Sequence, residues 1–180
     1  MNTLGLALFR FQIAQPRGIP LRVSRLTRCN SPTDRSHNSS EADRRFTKEV
    51  IQGDLAEIQI GKLAQQKGAS EKVKQFGQRL EADHSSNLEQ AKSLAGSLGL
   101  APPTAPNANQ TATYEKLSGL SGKEFDRTFA KKMLKDHKKD IKEFRRESRR
   151  SGPVANFAKK TLPTLEEHLK LARSLSSSRT

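Results

Sequence analysis

The chain has 180 residues, 33 of them Lys or Arg against 19 Asp or Glu, for a net charge of +14. That length suits one domain with a sizeable core, and the 5% aromatic content with no Trp suits helices better than sheets. One cysteine, Cys29, excludes an internal disulfide and a Cys-rich zinc site, and no apolar run of about 18 residues exists to cross a membrane.

Residues 1–40 stand apart. They hold six Arg and a single acidic residue, Asp34, with Pro16, Pro20 and Pro32 and a Ser/Asn-rich end. The apolar run Leu4 to Phe9 is short, is broken by Arg10 and has no basic residue before it, so it makes a poor secretory signal. The expectation is a disordered Arg-rich tail, a start codon placed too early, or a transit-type leader.

Ser40 with Asp43 three residues on predicts a capping box and the start of a first long helix. Its inner stripe reads Phe46, Val50, Gly53, Glu57, Ile60 and Ala64, with Ile51, Leu55 and Ile58 widening the face. Lys67-Gly68 predicts its end, and Ser70 caps a second helix after a very short turn, which makes an antiparallel hairpin. The second stripe is Val73, Phe76, Leu80, His84, Leu88, Ala91, Ala95 and Leu98. The Pro/Asn-rich run after Gly99 reads as a linker over 99–120, with a short helical turn from Thr111 to Leu117.

Ser121 and Glu124 predict another capping box and a third long helix, with stripe Phe125, Phe129, Met133, His137, Ile141 and Phe144. Ser151-Gly152-Pro153 separates it from the fourth, whose stripe is Val154, Phe157, Thr161, Leu165, His168, Ala172 and Leu175. Pro163 lies inside that helix. The architecture expected is an all-α four-helix bundle over residues 41–176, of two hairpins joined by the linker, with residues 177–180 frayed.

Each long helix carries one ionisable residue on its apolar stripe: Glu57, His84, His137 and His168. Counting from the turns at about 1.5 Å per residue places all four near mid-bundle. A carboxylate with three imidazoles is a mixed N/O set for one divalent transition metal such as Zn, Fe, Mn or Cu. It is equally a hydrogen-bonded polar layer that fixes helix register. Asp54, Glu81, Asp83 and Asp140 lie about a turn away and are candidate acceptors that would orient the rings. Glu81 and His84 have the Glu-x-x-His spacing of two-iron carboxylate sites, but Leu165 stands at the matching position of the fourth helix. No nucleophile triad and no phosphate-binding Gly loop is present, so no catalytic residue or organic cofactor is expected.

The third helix is also the basic one, from Lys131 to Arg150. Its cations interleave with Asp136, Asp140, Glu143 and Glu147, which reads as a solvated, salt-bridged face. The other reading is contact with a polyanion, nucleic acid or an anionic surface, through phosphate charge alone.

The segments FTKEVIQGDLAEIQIGKLAQQKGASEKVKQFGQRLEADH, FDRTFAKKMLKDHKKDIKEF and VANFAKKTLPTLEEHLKLA closely resemble the bacterial domain of unknown function 4142. The resemblance covers about residues 43–175. It implies a ferritin-like bundle with a long crossover between the hairpins, and a bacterial envelope or periplasmic location. It brings no assigned activity and no catalytic residues.

Overall fold

A computed structural model describes residues 40–177, and every described element is helical. The leader expected over residues 1–40 therefore lies, apart from Ser40, outside the described residues, as do residues 178–180. Four long helices, α1 (Glu41–Lys67), α2 (Glu71–Ser97), α4 (Gly122–Ser148) and α5 (Pro153–Ser177), pack with a short α3 (Ala108–Ser118) in the connection.

The helix starts follow from local chemistry. Ser40 Oγ accepts from Asp43 N at 3.1 Å, and the Asp43 carboxylate accepts from Ser40 N at 3.2 Å, the reciprocal box that satisfies two otherwise unpaired donors. Asn107 and Gln110 form the same box at the start of α3, which is why that helix begins three residues earlier than the expected Thr111. The box expected at Ser121 and Glu124 does not form: Ser121 is the N-terminal cap residue of α4 but makes no side-chain capping bond. Gly68 ends α1 with φ −58°, so it is not there for left-handed backbone. It is there for space, since a Cβ at this position would meet the Ala64 carbonyl at 2.6 Å and Val73 at 2.8 Å.

Contacts at the two ends fix the chain directions. At one end Gly68 bridges Gly122, Lys67 Nζ reaches the Ser118 carbonyl, and Asp126 accepts from Ala69 N and Ser70 N at 2.9 Å each. At the other, Arg44 donates to the carbonyls of Leu98 and Gly99, and Arg150 pairs with Asp43 at 3.1 Å. So α4 starts beside the α1–α2 turn, and the connection from Gly99 to Ser121 runs the length of the bundle. Among these helices, α1 packs most extensively on α2 and α4 on α5, with α2 against α5 and α1 against α3 next and equal.

Gly61 and Gly77 set how closely the first pair approaches. A Cβ on Gly61 would come within 2.7 Å of the Gly77 carbonyl, and one on Gly77 within 2.6 Å of the Gly61 carbonyl. The apolar interior falls into two clusters. One gathers Phe46, Val50, Ile51, Leu88, Ile141, Phe144, Val154 and Leu165. The other gathers Ile60, Phe76, Leu80, Phe125, Phe129 and Met133, with Leu117 of α3 sealing it. Burying each such Leu, Ile or Phe side chain stabilises the fold by about 1.5–3 kcal/mol. Between the clusters lies a polar layer, in the place where each stripe carries its ionisable residue.

Candidate metal centre

The layer is built by the stripes themselves. On α2 and α4 a histidine occupies the position between two apolar residues four away on either side: Leu80–His84–Leu88 and Met133–His137–Ile141. His137 and His168 are fully buried, and Glu57 and His84 are each 7% exposed. One ring nitrogen from each of His84, His137 and His168 lies within 4.8 Å of those of the other two. Glu57, expected beside them, stands outside that close group. It is buried next to it, its charge is felt at His84, and its Oε2 has no hydrogen-bond partner.

Hydrogen bonding fixes where the ring protons sit. His137 Nδ1 lies 3.0 Å from the Met133 carbonyl, which can only accept, so Nδ1 holds the proton. His168 Nε2 lies 2.9 Å from Asp83 Oδ2. Partial burial would raise the Asp83 carboxyl, but hydrogen bonds from Arg79 and His168 outweigh it and hold the group below its ordinary 3.8. Asp83 is therefore ionised, and His168 Nε2 donates to it. Those two bonds leave His137 Nε2 and His168 Nδ1 facing each other at 3.2 Å. With both rings neutral, two lone pairs meet there and no proton lies between them.

Burial keeps both rings neutral. It pushes His137 down to about 3, helped by the nearby charge of His84. It pushes His168 down to about 4, again with His84, against the raising effect of Asp83. His84 behaves differently. Burial would lower it, but its 2.8 Å bond to Asp54 and the charges of Asp54, Glu57 and Asp140 together raise it. With Nδ1 held by Asp54, the buried Nε2 has no partner. It and Glu57 Oε2 are the two buried side-chain atoms so stranded among the described residues.

Asp54 and Asp83 thus take the orienting places expected of them. Asp140 makes no hydrogen bond to a ring, and burial beside Asp136 lifts it to about 7. Glu81 turns away to Gln65 at 2.7 Å, so the Glu-x-x-His spacing on α2 does not bring its carboxylate to the layer. Sequence reasoning missed Asn87, which donates to both oxygens of Asp54 at 2.9 and 3.1 Å and accepts from Thr161 at 2.9 Å. Its place three residues after His84, on the same face, was the available signal. The Met133 carbonyl had none, because backbone acceptors are not written in side chains.

Two cavities flank the layer. A larger one, about 510 Å³, lies between α1 and α4 and reaches Glu57 and His84. A smaller one, about 150 Å³, lies between α2 and α5 and reaches His84 and His168.

Residues 29–175 match the domain of unknown function DUF4142. The chain belongs to that family. The match extends the resemblance read from residues 43–175 toward the N-terminus. A crystal structure of a DUF305 fragment from Deinococcus radiodurans is similar, with a TM-score of 0.69 and 12% identity, covering 78% of this chain and 99% of that one. At that identity the likeness concerns the fold alone. No curated protein shows significant similarity to the chain. Among the described residues, no helix is long and apolar enough to cross a membrane.

Proposed function

We propose that this DUF4142 protein binds one divalent transition-metal ion between its two hairpins. His84, His137 and His168 are the ligands, with Glu57 in the fourth position. The observation that carries the reading is the 3.2 Å approach of His137 Nε2 and His168 Nδ1 with no proton to share. A tetrahedral ion with nitrogen ligands at about 2.0–2.1 Å holds them roughly 3.3–3.4 Å apart, so the two rings already stand near that spacing. Each ring fixes its other nitrogen on Asp54, Asp83 or the Met133 carbonyl, the backing that metal-bound histidines ordinarily have. Three imidazoles and one carboxylate suit Zn, Fe, Mn or Cu, with Zn and Cu favoured by nitrogen ligands.

The test is elemental analysis of untagged protein, before and after dialysis against a chelator. About one equivalent of metal, lost from His84→Ala and His137→Ala, is expected. Metal content unchanged in both variants would overturn the reading and leave the layer as a device for helix register. The same proposal takes the fold to be the ferritin-like arrangement, supported by a connection that runs the length of the bundle. It takes the location to be the bacterial envelope, as the family resemblance implies, and cell fractionation tests that.

A second reading, polyanion binding, is favoured by how α4 divides its charges. Lys132, Lys139, Arg145, Arg146 and Arg150 pair with Asp136, Glu143, Glu166 of α5, Glu147 and Asp43 of α1 in turn. Lys131, Lys135, Lys138 and Lys142 form a separate exposed row at 3-4-residue spacing, with Arg149 seven residues further on at the helix's C-terminal cap. Such a row suits phosphate contact without base recognition. Changing Lys135, Lys138 and Lys142 to Gln is expected to abolish low-salt binding to duplex DNA, while Lys132→Gln with Lys139→Gln leaves most of it. No binding by the parent at low salt would remove this reading.

A further inference from the structure

We propose that the α1–α4 cavity is the route by which cations reach the histidine layer, drawn in by its carboxylates. This inference rests on the metal reading above. It starts from the unequal charge of the two cavities. The larger is lined by six acidic side chains, Glu49, Asp54, Glu57, Asp136, Asp140 and Glu143, against two cations, Lys132 and Lys139; burial pushes Asp140 up to about 7 and Glu57 up to about 8, so the inner end gains its full charge only as these protons leave. The smaller has one of each, Asp83 and Lys160. In a chain of net charge +14, this concentration of acidic side chains is a local reversal. Low-dielectric walls around like charges focus the field and raise the local concentration of the opposite ion.

The sequence writes this face at helical spacing. Asp136, Asp140 and Glu143 recur at intervals of four and three, so they line one side of α4. Across the cavity α1 presents Glu49 at its exposed edge and Glu57 at its floor. The floor is where the unsatisfied atoms are: Glu57 Oε2 is buried without a partner, as is His84 Nε2, and both residues line the cavity. A carboxyl oxygen stranded at the inner end of an acidic passage is what an arriving cation would satisfy, displacing the Glu57 proton as it binds.

Lys132 sits 3.0 Å from Asp136 and Lys139 sits 3.8 Å from Glu143. Both are flexible, partly or fully exposed side chains, so they act as tethered counter-ions that a divalent cation displaces toward solvent. The ligand class is a small hydrated divalent cation, exchanging water for carboxylate oxygens before it meets nitrogen.

The test is stopped-flow uptake of Zn²⁺ from a chromophoric chelator by the full chain, at low and moderate salt. Glu49→Gln with Glu143→Gln changes only the outer part of the route, away from the ligands and the core. It is expected to slow association at least fivefold at low salt, to flatten the salt dependence, and to leave the capacity at one ion. Lys160→Gln, on the other cavity, is expected to leave the rate unchanged. Equal rates for the parent and the Glu49/Glu143 variant would overturn the route while leaving the metal site intact. Faster uptake in Lys160→Gln would assign the route to the α2–α5 side instead. A parent that takes up no Zn²⁺ would remove both the site and its route.

Discussion

The two hairpins solve the problem of a polar mid-section in opposite ways. The first, α1–α2, pairs His84 with Asp54, and Asn87 with Asp54 in turn, and leaves Glu57 Oε2 and His84 Nε2 without partners. It also packs tightly, because Gly61 and Gly77 bring the two backbones together. The second, α4–α5, brings His137 and His168 together with no carboxylate of its own to receive them, and borrows Asp83 from α2. One hairpin supplies acceptors and close packing; the other supplies lone pairs. The layer is therefore completed only when the hairpins come together. A cation there would join the two through ligands from both.

The largest effect should come from removing the lone pairs. His137→Leu with His168→Leu is expected to abolish metal binding outright, since two of three nitrogen ligands go. The same double variant should make the metal-free protein more stable, by about 1–4 kcal/mol, as often happens when a buried polar group is replaced by a well-packed apolar one. Chemical denaturation with and without metal checks both halves. A large loss of stability in the metal-free double variant would mean that the rings are structural. Next in size is the packing side of the contrast. Gly77→Ala places a methyl 2.6 Å from the Gly61 carbonyl and should cost about 1–3 kcal/mol through overpacking. The open position at Gly53, where a Cβ meets nothing, should tolerate Ala and serves as the control.

Much of this was legible in the chain. The apolar stripes, the Ser40 box and the short turn before Ser70 mark the first hairpin through local rules, and the structure has them where those rules put them. The polar layer was legible because a charged or imidazole side chain on an apolar stripe breaks a period. What was not legible depends on contacts between helices. Nothing local says that Asp83 reaches across to His168, or that Glu81, two residues before it, turns to Gln65 instead. The Ser121 box failed for a related reason: the sequence pattern permits the bond without requiring it. The division of α4 into a paired and an unpaired cationic row likewise needed the positions of α1 and α5.

Asp83→Asn sharpens the borrowed contact. An amide can still meet His168 Nε2–H through its oxygen, but it brings no charge. Metal affinity should fall by about 10–100-fold, the usual effect of altering a group that backs a ligating histidine. Isothermal titration with Zn²⁺ reads this directly. An unchanged affinity would mean that the Asp83–His168 bond only packs α2 against α5.

The smallest effect, and the one that tests the charge balance between the hairpins, is the pH dependence of the metal-free protein. His137 at about 3 and His168 at about 4 lie below their ordinary 6.5. The unfolded chain therefore binds more protons, and stability falls as pH drops below about 6.5. On the first hairpin and its cavity the sign reverses. Glu57, pushed by burial from 4.5 to about 8, and Asp140, from 3.8 to about 7, bind more protons when folded. Stability from these two falls as pH rises, through about 7 for Asp140 and about 8 for Glu57. These four contributions oppose one another between about 4.5 and 6.5, while the raised Asp54 and His84 add stability that is also lost as pH rises, so melting should decline most clearly between about 6.5 and 8. Metal needs Glu57 ionised and His84 without its extra proton, so affinity should rise over that same upper interval. Melting curves with and without Zn²⁺ from pH 5 to about 8.5 should therefore diverge as pH rises. Parallel curves would mean that the ion, if bound, does not displace these protons, and Glu57 would be removed from the ligand set.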